Sequence, residues 1–284
     1  MQGASRDALA QVWGFVEREL SGSTASNSAS GPDPAAVGEE LFGVVGVLDA
    51  QVGLRRALSD PSVDGDRKAG LVEAVLGSRV SDSTIRIVNE VVRARWSRMR
   101  DLADSIETLA VLAMLIQADA HPGSGHHAGE SDDVEDELFR FGRIVEANAH
   151  LRAAIADPAL PDDNKVALIN ALVEEKARPV TVRLLTQVAT RPRGRSPEDA
   201  ITDYTGIAAR RRTRLVARVT TAVGLSDAEV SRLQAALAGL YGHEIHLQIE
   251  VDADIVGGVV VHVGDEVLDG SVAGRLADAR RRIE

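Results

Sequence analysis

Residues 254–276 read Asp-Ile-Val-Gly-Gly-Val-Val-Val-His-Val-Gly-Asp-Glu-Val-Leu-Asp-Gly-Ser-Val-Ala-Gly-Arg-Leu. This stretch encodes a strand, a tight turn, a short return and a capped helix. Val259, Val261 and Val263 alternate with Val260 and His262, the period of two that marks a strand with two different faces. Gly257 and Gly258 lead into it, and Gly264-Asp265 supplies turn chemistry after it. Asp269-Gly270-Ser271 makes a second turn whose Ser271 can cap a final helix. The glycines flank a strand rather than opening a helix, and no Gly-Lys-Ser/Thr follows them, so they read as turn-makers and not as a phosphate loop.

The neighbouring sequence extends the same pattern. Leu215, Ala217 and Val219 alternate with Val216, Arg218 and Thr220, and Leu247, Ile249 and Val251 alternate with Gln248, Glu250 and Asp252. Between them, Ser226-Asp-Ala-Glu229 is a capping box opening a helix with an apolar stripe of Val230, Leu233, Leu237 and Leu240. Residues 213–284 therefore read as a small α/β domain, a sheet covered on one face by helices.

Upstream, helical periodicity dominates. A helix is expected over 5–20, with Leu9, Val12, Trp13, Val16 and Leu20 on one face. After a Ser/Gly/Asn-rich loop at 21–31, helical patterns fill 36–58, 67–76, 84–95 and 98–117. Residues 121–130 read as a Gly/His-rich flexible linker, and Ser131 opens a long helix reaching about Ala156. An internal duplication underlies this part. At an offset of 97 residues, Glu40-Leu41-Phe42 falls on Glu137-Leu138-Phe139, Leu54-Arg55 on Leu151-Arg152, Asp60-Pro61 on Asp157-Pro158, and Lys68 on Lys165. Thr84, Arg86 and Val91 fall on Thr181, Arg183 and Val188, and about a third of residues 40–75 are identical to their partners. Each copy has a helix stopped at Asp-Pro, because the residue before proline is pushed out of the helical region. The organisation expected is a helical module over 1–120, the linker, a second module over 131–212, and the α/β domain over 213–284. The fold class is mainly α: two duplicated helical-bundle modules, then a strand-helix-strand-hairpin-helix domain.

Composition narrows the functions. Cysteine is absent, which removes disulfides and thiolate metal sites. A formal net charge of -11 argues against nonspecific nucleic-acid binding by the whole chain. The apolar run at 110–116 falls far short of the roughly 20 residues of a membrane helix, and residues 8–20 are too charged for a secretory h-region. His121, His126 and His127 lie near Glu130, Asp132 and Asp133, but a Gly/Ser-rich setting gives no scaffold for ligand geometry, and a solvated linker is the favoured reading. His243-Glu-Ile-His246 lacks the spacing of a metalloprotease helix. Arginines 210–212 and 214, and the Arg-rich stretch 93–100, read as solvated faces or contacts to acidic protein. No catalytic, metal or cofactor residues are expected.

The segment 256–276, the 215–251 strand-helix-strand pattern with Leu225-Ser226 opening its helix, and the helical module with Asp157-Pro158 and Lys165 resemble the delta subunit of F-type ATP synthases, the family of the mitochondrial oligomycin-sensitivity-conferring protein. The opening Gly3-Ala-Ser-Arg6 and the extra module resemble the longer actinobacterial members. The lack of a membrane-length apolar run resembles their free-standing form rather than one fused to a b-type subunit. A typical member has one helical domain, so the second copy departs from the family pattern. The resemblance implies a non-catalytic peripheral-stalk (stator) subunit, one copy per complex. It would link alpha subunits of the catalytic head, through their N-terminal helices, to the b-subunit stalk, so that the head resists rotor torque. It implies a peripheral position on the cytoplasmic face of the cell membrane, held there only through the complex, and no nucleic-acid partner. Head contacts are expected around Asp60, Pro61, Asp157 and Pro158. Gly257, Gly258, Gly264, Asp265, Asp269, Gly270 and Ser271 are expected to shape the stalk-binding domain. The alternative from the residues alone is a helical-repeat adaptor or regulator with an acidic-protein or nucleic-acid partner.

Overall fold

The computed structural model describes residues 3–21, 32–120, 134–214, 216–241, 245–252, 257–263 and 266–270. It divides into two compact units, Met1–Ala208 and Ala209–Glu284.

The first unit is helical: α1 (Ala4–Ser21), α2 (Pro34–Ala50), α3 (Val52–Ser59), α4 (Gly65–Leu76), α5 (Asp82–Arg93), α6 (Met99–Ala120), α7 (Val134–Ala147), α8 (Ala149–Ala156), α9 (Asp162–Val173), α10 (Pro179–Thr190) and most of α11 (Pro197–Arg214). The duplication is explicit here. Displaced by 97 residues, α3, α4 and α5 coincide end to end with α8, α9 and α10. The single long helix expected to reach Ala156 is instead two. Asn148 leaves helical geometry (φ -123°) and its side chain accepts the Leu151 amide at 3.0 Å, so it caps α8 rather than continuing α7. The first copy breaks at the equivalent Gln51 (φ -112°), where Arg55 reaches back to Asp49 at 3.2 Å.

The same displacement places α1 on residues 101–118, inside α6. One helix thus closes the first copy and occupies the opening position of the second. α6 packs against α1, α2, α3, α5 and α10, and Leu102, Ile106, Leu109, Leu112 and Met114 on it are fully buried. That explains why 110–116 is the most apolar run in the chain: a helix hydrophobic all round is one covered on every side. α2 lies close along α6, and a Cβ on Gly38 would sit 3.2 Å from the Ala110 carbonyl oxygen, so a side chain there has no room.

The second unit holds α12 (Asp227–Tyr241) and the strands β1 (Val216–Thr221), β2 (His246–Val251), β3 (Val259–Val263) and β4 (Glu266–Asp269). The sheet order is β2-β1-β3-β4. β1 and β2 are parallel, joined through α12, while β3 pairs antiparallel with both β1 and β4. The alternation expected from sequence gives a buried face in β1 and β3, where Ala217, Val219, Val261 and Val263 pack with Leu237 of α12. In the edge strand β2, Ile249 and Val251 of the expected apolar set are exposed, as is Leu240 at the end of the α12 stripe. Fold class is therefore mainly α with a small α/β domain. The final helix expected after Ser271 lies outside the described residues.

Candidate functional site

The repeated residues are repeated because they make the same bonds. In the first copy Glu40 of α2 accepts from the Ser81 amide at 2.9 Å and the Ser81 hydroxyl at 2.7 Å, and from the Thr84 hydroxyl. Ser81 is the N-cap of α5, so a carboxylate on one helix braces the start of another, where exposed amides and the helix dipole favour negative charge. In the second copy Glu137 of α7 accepts from the Arg178 amide at 3.1 Å and from the Thr181 hydroxyl, at the start of α10. Burial pushes the Glu40 carboxyl up, but the Thr84 and Ser81 hydrogen bonds outweigh it and hold it below the ordinary glutamate value. A depressed folded pKa contributes stability that is complete above the unfolded value, about 4.3, and is lost as pH falls through the folded one. Glu40→Gln is accordingly expected to lower the melting temperature at pH 7, by a gap that narrows as pH falls below the unfolded glutamate value of about 4.3 and on through the lower folded one. Melting curves from pH 7 to 3 check this, and a constant gap would refute it.

Both Asp-Pro turns follow one design. Asp60 follows α3 and accepts from the Ser62 amide at 2.8 Å and its hydroxyl at 2.7 Å, bonds that hold its carboxyl below the usual range. Asp157 follows α8 and accepts from the Ala159 amide at 2.8 Å. Pro61 and Pro158 are exposed. These residues terminate helices and set the direction of the next.

In the second unit Gly257 (φ 139°) and Gly258 (φ 86°) occupy backbone conformations that side-chain-bearing residues avoid. Gly270 donates its amide to the Val259 carbonyl at 2.9 Å, and a Cβ there would meet that oxygen at 3.0 Å. Asp269 ends β4 opposite Val260. Gly264, Asp265 and Ser271 lie outside the described residues, as do His121, His126, His127, Glu130, Asp132, Asp133 and His243. Ser226 donates its amide to Glu229 at 2.9 Å and its hydroxyl at 2.6 Å, the capping box expected for α12. On the flanks of this domain Val251 and Val267 are exposed apolar residues.

The 93–100 arginines are largely engaged with carboxylates of the chain: Arg93 with Asp66 at 3.1 Å, Arg98 with Asp101 at 3.2 Å and Arg100 with Asp104 at 3.6 Å. A second charged cluster was not legible in the sequence. Arg193, between α10 and α11, bonds Asp49 of α2 at 2.6 Å, Asp104 of α6 at 3.0 Å and Glu107 of α6. Arg195 also bonds Glu107, which accepts from the Tyr204 hydroxyl at 2.9 Å. The only hint in the sequence is that Arg193 breaks the repeat, standing where the first copy has Trp96. Among the described residues no group of histidines and carboxylates is placed to hold a metal ion, and no helix is long and apolar enough to cross a membrane.

The fold defines a mainly helical protein, built on an internal repeat, that carries a small α/β domain. Comparison with known proteins narrows this. The family model of the ATP synthase delta (OSCP) subunit matches residues 118–283. The ATP synthase subunit delta of Acidothermus cellulolyticus is 51% identical over 283 residues, covering 100% of this chain and 99% of its own. The subunits of the same name from Streptomyces griseus and Thermobifida fusca are each 44% identical over 283 residues, with 100% of this chain and 99% of theirs covered. The chain belongs to the ATP synthase delta (OSCP) subunit family, proteins of ATP synthesis and its coupled proton transport.

Proposed function

We propose that this chain is the peripheral-stalk subunit of a proton-translocating F-type ATP synthase, a non-catalytic stator clamp. The observation that carries the reading is full-length identity with ATP synthase delta subunits, 51% over 283 residues in the first of them. The helical modules, taken as 1–120 and 131–212 with 121–130 between them, hold the N-terminal helices of alpha subunits. The domain over 213–284 holds the end of the b subunit. The protein is peripheral, on the cytoplasmic face of the cell membrane, and reaches the membrane only through the complex.

A clamp of this kind has to dissociate slowly under torque. Two linked attachments raise the effective concentration at each site, so that loss of one contact is followed by rebinding before the other is lost. A buried helix common to both copies of the module supports this role, since a force applied to one copy is transmitted through packed side chains that deform little. The turn residues 257, 258, 264, 265 and 269–271 shape the stalk-binding domain, and the Asp-Pro turns position the helices that meet the head.

The test is affinity purification of the tagged chain from gently solubilised membranes of its host. Recovery of alpha, beta and b subunits in fixed proportion is the expected result. Recovery of nucleic acid or of unrelated proteins without synthase subunits would overturn the reading in favour of a helical-repeat adaptor.

A further inference from the structure

We propose that the charged cluster around Arg193 is a latch that locks the second copy of the helical module onto the first and makes the two behave as one stiff body. The Arg193 side chain is only 7% exposed, and its guanidinium bridges two elements of the first copy, Asp49 on α2 and Asp104 with Glu107 on α6. Arg195 joins Glu107 to Asp203 of α11 at 3.0 Å, and Tyr204 of α11 donates to Glu107. Arg100 of α6 closes the ring by donating to the Arg193 carbonyl oxygen at 3.0 Å. Glu107 is therefore the pivot: buried, and bonded at once by three groups that all come from the far side of the junction.

Three features separate this cluster from ordinary surface ion pairs. The first is burial, which strengthens each interaction and makes an unpaired member costly. The second is backbone geometry. Arg193 has φ 53° and Gly194 φ 72°, so the turn carries an arginine in the left-handed region, which persists where surrounding contacts over-determine it. The third is that the first copy has no ionic counterpart: there the Ser97 amide donates to the Ser5 hydroxyl of α1 at 2.8 Å, and Ser5 donates to Asp101 of α6 at 2.8 Å. Its equivalent turn holds Trp96, which donates to the Val91 carbonyl at 2.8 Å within its own copy, and the position equivalent to Glu107 is Ala10. Arginine–carboxylate bonds thus take the place of hydroxyl bonds where the copies meet. α11 already buries Ala200, Ile201, Tyr204 and Ile207 in the shared core. Apolar packing is non-directional, and the latch fixes the position of the α10–α11 turn against α2 and α6.

The device belongs to the isolated chain and does not rest on the stator reading, so its failure would leave that reading standing. Hydrogen exchange followed by mass spectrometry on the full-length protein tests it, comparing the parent with Arg193→Ala and Glu107→Gln. The expected result is exchange at least tenfold faster at residues 193–208 and at the end of α2 near Asp49, with residues 65–93 unchanged. Small-angle scattering should show a larger radius of gyration in the same variants. Glu107→Gln preserves shape and removes the charge, so it reports on the ionic bond even if Arg193→Ala folds poorly. Unchanged exchange in Glu107→Gln, or acceleration equally great in residues 65–93, would overturn the proposal.

Discussion

Phe42→Ala is expected to destabilise the helical unit by about 3–5 kcal/mol, while Phe139→Ala, at the same position of the second copy, costs less than about 0.5 kcal/mol. The two phenylalanines sit in identical Glu-Leu-Phe triplets 97 residues apart. Their surroundings differ: Phe42 is 8% exposed and Phe139 is 59% exposed. The cause is the helix each belongs to. α2 buries Val37, Gly38, Leu41, Phe42, Val44, Val45 and Leu48, which is more than one face. It can do so because Gly38 lets its backbone approach α6. α7 has Glu135, Arg140 and Arg143 where α2 has Gly38, Gly43 and Gly46, and it buries only the single stripe Val134, Leu138, Phe141 and Val145. Truncating Phe42 leaves a cavity in a packed interior, whereas truncating Phe139 removes surface already in water. Urea unfolding of the two variants checks this, with a lowered midpoint and unchanged slope for Phe42→Ala and an unshifted curve for Phe139→Ala. Equal midpoints would mean that the copies pack alike after all.

That contrast marks how far the sequence could be read. Strands were legible because a half-buried sheet imposes a period of two, and the residues 259–263 expected to form a strand do form β3. The duplication was legible because the bonds it preserves are made by side chains that cannot be exchanged freely: a carboxylate to brace a helix start, a hydroxyl to meet it, an Asp-Pro to stop a helix. The double duty of α6 was not legible. α1 and residues 101–118 share a single identical residue, Asp7 with Asp104, because one helix has an exposed face and the other has none. Similarity fades when burial changes, even where the backbone plan persists. The Arg193 cluster was hidden for a related reason. A lone arginine in a loop reads as a solvated charge, and its burial depends on Asp49, Asp104 and Glu107, brought to it from far along the chain.

Gly258→Val is expected to unfold or severely loosen the second unit while leaving the helical unit intact. Gly258 has φ 86°, in a region closed to β-branched residues, and the preceding Gly257, at φ 139°, cannot absorb the change without giving up its own conformation. Forcing an L residue into left-handed geometry costs roughly 1–2 kcal/mol before β-branching is added. The position magnifies this cost. Gly258 leads directly into β3, which lies between β1 and β4 and is hydrogen-bonded to both. The next residue, Val259, pairs with Thr221, and its carbonyl holds the Gly270 amide at the far end of β4. A shift of one residue in β3 would turn Val261 and Val263 out of the core and His262 into it. A unit of this size has only a few kcal/mol to lose. Gly258→Asn is the control, since asparagine tolerates positive φ better, and its loss should be clearly smaller. Limited proteolysis reads the outcome: rapid cleavage within residues 216–270 for the valine variant, slow cleavage for asparagine, and an intact fragment covering the helical unit in both. In the purification from membranes, the valine variant should lose the b subunit while still retaining alpha subunits. Parent-like protease resistance in Gly258→Val would show that the turn before β3 has room for a side chain and that β3 is placed by other contacts.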